Sequence, residues 1–183
     1  MGNDSPNLTL EEVATVGLGN THQKVIQKLI ELIQALPRDC LEIKCSDRRP
    51  QWYQIDMLPS NPCAAQIKIY LCLDDSDGDG PTPVVVNAGR DIAIDILDIQ
   101  YNASVPDVVG LFEKVIRAIT AGHVRETLFY AGGVLYRSQC WVGICGRPIE
   151  LDRTNVPKWL SSLRKRRSRE TFVYGSYWEA EAP

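Results

Sequence analysis

The residues best suited to chemistry form one acidic run, Asp74-Asp75-Ser76-Asp77-Gly78-Asp79-Gly80. Asp75, Asp77 and Asp79 alternate and are followed by Gly80, which reproduces the first half of a calcium loop. Such a loop spaces its carboxylates to converge on a hard cation and then needs a glycine for the sharp turn. It also needs a bidentate glutamate at its closing position, where this chain has Val86. The incoming segment is strand-like rather than helical. Aspartate and glycine are equally what a solvated hairpin turn requires. No cofactor is therefore expected, and calcium on Asp75, Asp77 and Asp79 is the metal-dependent alternative.

Nucleophilic chemistry has few parts to work with. There are two histidines, His22 and His123, and six cysteines. His22 falls in a helical stretch. His123 follows a helix-ending Gly122, where a cation suits the negative end of the helix dipole. Cys40 and Cys45 are separated by four residues, as are Cys140 and Cys145, whereas structural zinc knuckles use two-residue separations. Cys72 and Cys140 sit among apolar strand residues, as buried free thiols do. A Cys–His pair meeting only in space is left open. No serine elbow, phosphate loop or HExxH is present, so a non-enzymatic protein is expected.

Charge gives two further features. Asp91 and Asp95 fall on one face of a strand, roughly 13 Å apart, too far for a glycosidase-type carboxylate pair. With Asp74, Asp75, Asp77 and Asp79 they form an electronegative patch that can steer a basic partner. Trp52, Tyr53 and Trp178 are the aromatic anchors for it. Of opposite sign is Arg164-Lys165-Arg166-Arg167-Ser168-Arg169, which can touch phosphate or complement the end of a last helix. The formal net charge of −3 argues against a surface that attracts nucleic acid everywhere.

The elements that must position these residues follow from periodicity. Val25, Leu29, Leu32 and Leu36 mark the buried stripe of a helix from about 21 to 36, stopped by Pro37. Val108, Phe112, Val115 and Ile119 mark a second, from about 105 to 121, with Ser104 and Pro106 as its start signal and Gly122 as its end. Strands are read at Leu41–Cys45, Trp52–Met57, Ala65–Leu73, Pro83–Val86, Arg90–Ile96, Val124–Tyr130 and Val134–Val142, with one more at Arg147–Leu151. Asn155 caps a short last helix, about 156 to 166. Connections this short forbid parallel crossovers. The expected fold is α+β, with a mostly antiparallel sheet of five to seven strands. The expected organisation is one domain over 1–183, with a flexible segment at about 1–18 and a partly packed tail at about 170–183.

No residue motif identifies a family. The order of elements is similar to that of bacterial secretion chaperones and is compatible with immunity proteins that neutralise toxins. That resemblance implies a protein that captures a partner. The expected function is thus a non-catalytic protein-binding module with a basic protein partner, and dimerisation is allowed. The alternatives are a small enzyme built on the Asp75/Asp77/Asp79 loop and nucleic-acid contact through 164–169. No apolar run approaches the roughly 20 residues that span a bilayer, and Met1–Ser5 is no signal peptide. A cytoplasmic location is expected.

Overall fold

The computed structural model describes residues 7–15, 20–48, 52–72, 84–90, 92–96, 107–144, 147–154 and 167–178. Period-two alternation builds the first sheet. β1 (Asn7–Leu8), β2 (Leu41–Arg48), β3 (Trp52–Pro59), β4 (Ile67–Cys72), β5 (Val84–Ala88) and β6 (Ile92–Asp95) pair antiparallel in chain order. Register puts Cys45, Ile55, Ile69, Val86 and Ile94 in one row across five strands, and every one of them is buried. A one-residue slip would turn that row to solvent, so the apolar pattern itself fixes the pairing.

Three helices are described: α1 (Leu10–Thr15), α2 (Asn20–Gln34) and α3 (Val108–Thr120). Thr9 and Glu12 cap α1 reciprocally: the Thr9 N–H donates to Glu12 Oε2 at 2.6 Å and the Glu12 N–H to Thr9 Oγ1 at 3.2 Å. The inner stripes of α2 (Val25, Ile26, Leu29) and α3 (Phe112, Val115, Ile119) join the inner face of the sheet in one core. Each such side chain contributes about 1.5–3 kcal/mol on burial. Lys28 on α2 reaches Glu113 on α3 at 3.8 Å.

The chain then builds a second sheet. β7 (Val124–Ala131), β8 (Val134–Ile144), β9 (Arg147–Thr154) and β10 (Arg167–Val173) lie antiparallel in the order β10-β7-β8-β9. Val124, Leu128, Cys140 and Val142 are buried on its inner face. The strands expected in a single sheet of five to seven therefore split into sheets of six and four. α3 intervenes between β6 and β7, and β10 closes the edge of β7.

Other boundaries shift for local reasons. The N-cap of α3 is Asp107, which accepts the Val109 N–H at 3.0 Å; Ser104 and Pro106 lie outside the described residues. The helix expected over about 156–166 also lies outside them. Arg167 and Arg169, expected at its end, instead belong to β10. The N-terminal segment read as flexible contributes β1 and α1, and Val13 is buried.

The segment 174–178 ties the two sheets together. The Tyr174 N–H donates to Val124 O at 3.1 Å, Gly175 N–H to Cys63 O at 2.9 Å, and Tyr177 N–H to Thr120 O at 2.9 Å. The Tyr177 hydroxyl donates to Ala65 O at 2.8 Å, and Asn61 Nδ2 donates to Ser176 O at 2.7 Å. Gly122 lies beneath this segment with φ +76°, and a Cβ there would meet Gly175 C and Ser176 N at 2.7 Å. Gly133, at the β7–β8 turn, has φ +82° and nothing within 4 Å of a built Cβ. Gly133→Ala is expected to cost only the left-handed strain, about 1–2 kcal/mol. Gly122→Ala adds a backbone collision and should cost about 3 kcal/mol or more. Urea unfolding of the two variants measures the difference.

Candidate functional site

The residues singled out by sequence do not gather in one place. Asp74, Asp75, Asp77, Asp79 and Asp91 lie outside the described residues. Asp95 is placed by its backbone, in register with Val85 on β5. Trp52 sits on the outer face of the first sheet, half-buried, with its ring edge-on to Tyr70 at 6.3 Å and 81°. Tyr53, the next residue on the strand, faces inward and is 1% exposed, which removes it as an anchor. Trp178 is 46% exposed. It stands on the helix side of the same sheet, so the two tryptophans serve different surfaces.

Trp178 forms one wall of an apolar groove of about 400 Å³. The last turn of α2 and its exit supply Leu32, Ala35, Leu36 and Pro37. The last turn of α3 supplies Ile116, Thr120 and Ala121, and Met57 of β3 forms the floor. The sequence explains this gap. Pro37 ends α2 and Gly122 ends α3, so both helices stop short and leave apolar side chains at their ends uncovered. Arg117 at the rim is paired with Glu113 at 2.9 Å. Trp178 is held in position by the hydrogen bonds of Tyr177 next to it. The arrangement can desolvate an apolar side chain from outside, and among its described lining residues there is no carboxylate, histidine or thiol.

Comparison with protein families, curated proteins and solved structures finds no match.

Cys40, Cys45 and Cys140 are buried and do not supply a nucleophile to the surface. Burial pushes the Cys45 thiol up to about 11, with Glu11 and Asp56 adding to the effect. Burial, with Glu126 nearby, pushes Cys140 up to about 12. Burial also raises Cys40. Catalytic thiols are shifted the other way. His22 is fully buried and His123 is exposed. Among the described residues no group of three His, Cys, Asp or Glu side chains is placed to hold a metal ion, and no helix is long and apolar enough to cross a membrane.

The folded state holds the Cys45 and Cys140 protons more tightly than an ordinary thiol at 9.0 does. The contribution of these thiols to stability should thus be constant below about pH 9 and be lost as pH rises from 9 through 11 and 12. Tyr174 and Tyr177, both raised mainly by burial from 10.0, act in the same direction above pH 10. Urea midpoints between pH 7 and 11 read this decline. At pH 7.5 a maleimide should label exposed Cys63 well before Cys40, Cys45 or Cys140, as mapped by peptide mass spectrometry.

Proposed function

We propose that this chain is a non-catalytic protein-binding module, which seats an apolar side chain of a basic partner segment in the groove beside Trp178. The observation that carries this reading is the half-exposed indole at the wall of a preformed apolar groove. Aromatic residues over desolvated pockets dominate binding energy at interfaces. The preference for a basic partner comes from charge. The chain is net acidic and continues from Trp178 into Glu179 and Glu181. Asp74, Asp75, Asp77, Asp79, Asp91 and Asp95 would steer the approach. An immunity protein or a secretion chaperone is the kind of protein this describes. A cytoplasmic setting fits the free thiols at Cys40, Cys45, Cys63 and Cys140.

A second reading, contact with single-stranded nucleic acid, rests on the open face of the second sheet. There Arg169, Phe129 and Arg137 are successive cross-strand neighbours, and Trp141 lies beside Arg125. Arginines interleaved with aromatic rings suit backbone contact and base stacking. Oligonucleotide affinity that falls steeply with salt and with Arg167→Ser and Arg169→Ser would select this reading.

The groove is tested by selecting peptides from a random display library. The expected ligands carry an apolar anchor flanked by lysine or arginine and perturb Trp178 fluorescence. Trp178→Ala and Ala35→Arg, the latter filling the groove, should each weaken them about thirtyfold, while Trp52→Ala leaves affinity unchanged. Selected peptides that bind Trp178→Ala as well as the parent would reject the groove as the site.

A further inference from the structure

A second concavity, of about 310 Å³, lies where the outer face of the first sheet meets β9 of the second. Three cations from three segments line it: Lys68 on β4, Arg90 in the β5–β6 turn and Arg153 on β9. Among the described lining residues there is no carboxylate, although the chain as a whole is net acidic. None of the three cations makes an ion pair with a described residue. Like charges that share a concavity repel one another, and no described carboxylate closes to ion-pair distance on them, although Asp56 neighbours Lys68 across the strands.

The neutral groups around them add hydrogen-bonding capacity. The Arg90 guanidinium carbon lies over the Phe172 ring, 4.0 Å from its centroid. That contact restrains the side chain, and a guanidinium so placed can still offer N–H donors to an oxyanion. Asn87, between Lys68 on β4 and Ala93 on β6 in the sheet register, has a buried side-chain Oδ1 with no hydrogen-bond partner. An unpaired buried acceptor is costly, and a turn of the Asn87 side chain toward the concavity would let a ligand hydroxyl or amine satisfy it. Tyr70 and Gln66 complete the polar wall. The volume falls at the lower end of the range for small-molecule sites.

We propose that this concavity binds a phosphate monoester of a small hydroxylated molecule, of the size of a mononucleotide or sugar phosphate. Lys68, Arg90 and Arg153 hold the phosphate, the arginines through paired N–H donors, and Asn87 accepts from a hydroxyl of the organic part. Because Lys68 belongs to the first sheet and Arg153 to the second, the ligand bridges the two sheets and stabilises their contact. The site is separate from the groove beside Trp178 and does not depend on the role assigned to it.

The test is thermal unfolding and calorimetric titration of the full chain at low ionic strength, with AMP, ribose 5-phosphate, adenosine and sulfate as probes. AMP and ribose 5-phosphate are expected to raise the Tm saturably, to bind more tightly than sulfate, and to lose affinity with added salt; adenosine should have no effect. Lys68→Gln and Arg153→Gln, both at side chains with no described ion pair to break, should each weaken AMP about tenfold with the far-ultraviolet circular dichroism unchanged. Asn87→Leu should weaken AMP while leaving sulfate as it was. No saturable shift with either phosphate ester at millimolar concentration, equal shifts with sulfate, or AMP binding that survives Lys68→Gln and Arg153→Gln would each overturn the proposal.

Discussion

The contact between the two sheets depends on one buried carboxylate. Glu126, on the inner face of β7, has no exposed surface. Its Oε2 accepts the Tyr174 hydroxyl at 2.7 Å and the Arg90 N–H at 3.2 Å. A carboxylate removed from water is tolerated only when protein donors replace its hydration. Here those donors come from the β5–β6 turn of the first sheet and from the segment that follows β10. Meeting the needs of one side chain therefore locks three parts of the chain together. The Tyr174 phenol is raised first by its burial and then by this bond, so it stays protonated as the donor. Its ring packs so closely on Gly89 that a Cβ there would overlap it.

The two candidate surfaces both inherit their shape from this junction. Trp178 reaches the groove because Tyr177, fully buried, donates to Ala65 and Thr120 and so holds the segment across the end of α3. Arg153 reaches the cationic concavity because the second sheet is held over the Gly89–Arg90 turn. A surface assembled from separate segments is only as well ordered as the bonds between them. Here those bonds are buried and mutually dependent, which favours sites formed before any ligand arrives.

The elements that carry their own pattern were legible in the sequence. The isoleucines at 92, 94 and 96, the stripe from Val108 to Ile119 and the glycine-marked turns each stand where periodicity and turn chemistry place them, because the same burial that makes the pattern stabilises the element. The reciprocal cap of Thr9 and Glu12 is also readable, as a threonine followed three residues later by a glutamate, although the segment about 1–18 is expected to be flexible. The split into two sheets was not legible, since which strands become neighbours is decided by long-range packing that no local window contains. Nor was the groove. Its lining comes from residues near 32–37, 57, 116–121 and 178, and only the last of these, Trp178, drew notice as a surface aromatic.

Glu126 and the basic run illustrate the hardest case, in which residue type misleads. In Arg125-Glu126-Thr127 a carboxylate on an alternating strand reads as solvent-facing, whereas burial falls on Glu126 and exposure on Arg125. The basic run looked like the end of a helix, but Arg167–Val173 forms an edge strand that is exposed at nearly every position. Edge strands expose unpaired backbone donors and acceptors that invite pairing with other chains, and charged side chains oppose it. Arg167, Arg169 and Glu170 on β10 serve that purpose without any ligand. Their charge is thus accounted for by the sheet they border. Arg153 also lies on an edge strand, β9, but it shares its concavity with Lys68 of the inner strand β4 and with Arg90 of the β5–β6 turn, a convergence that edge protection does not require.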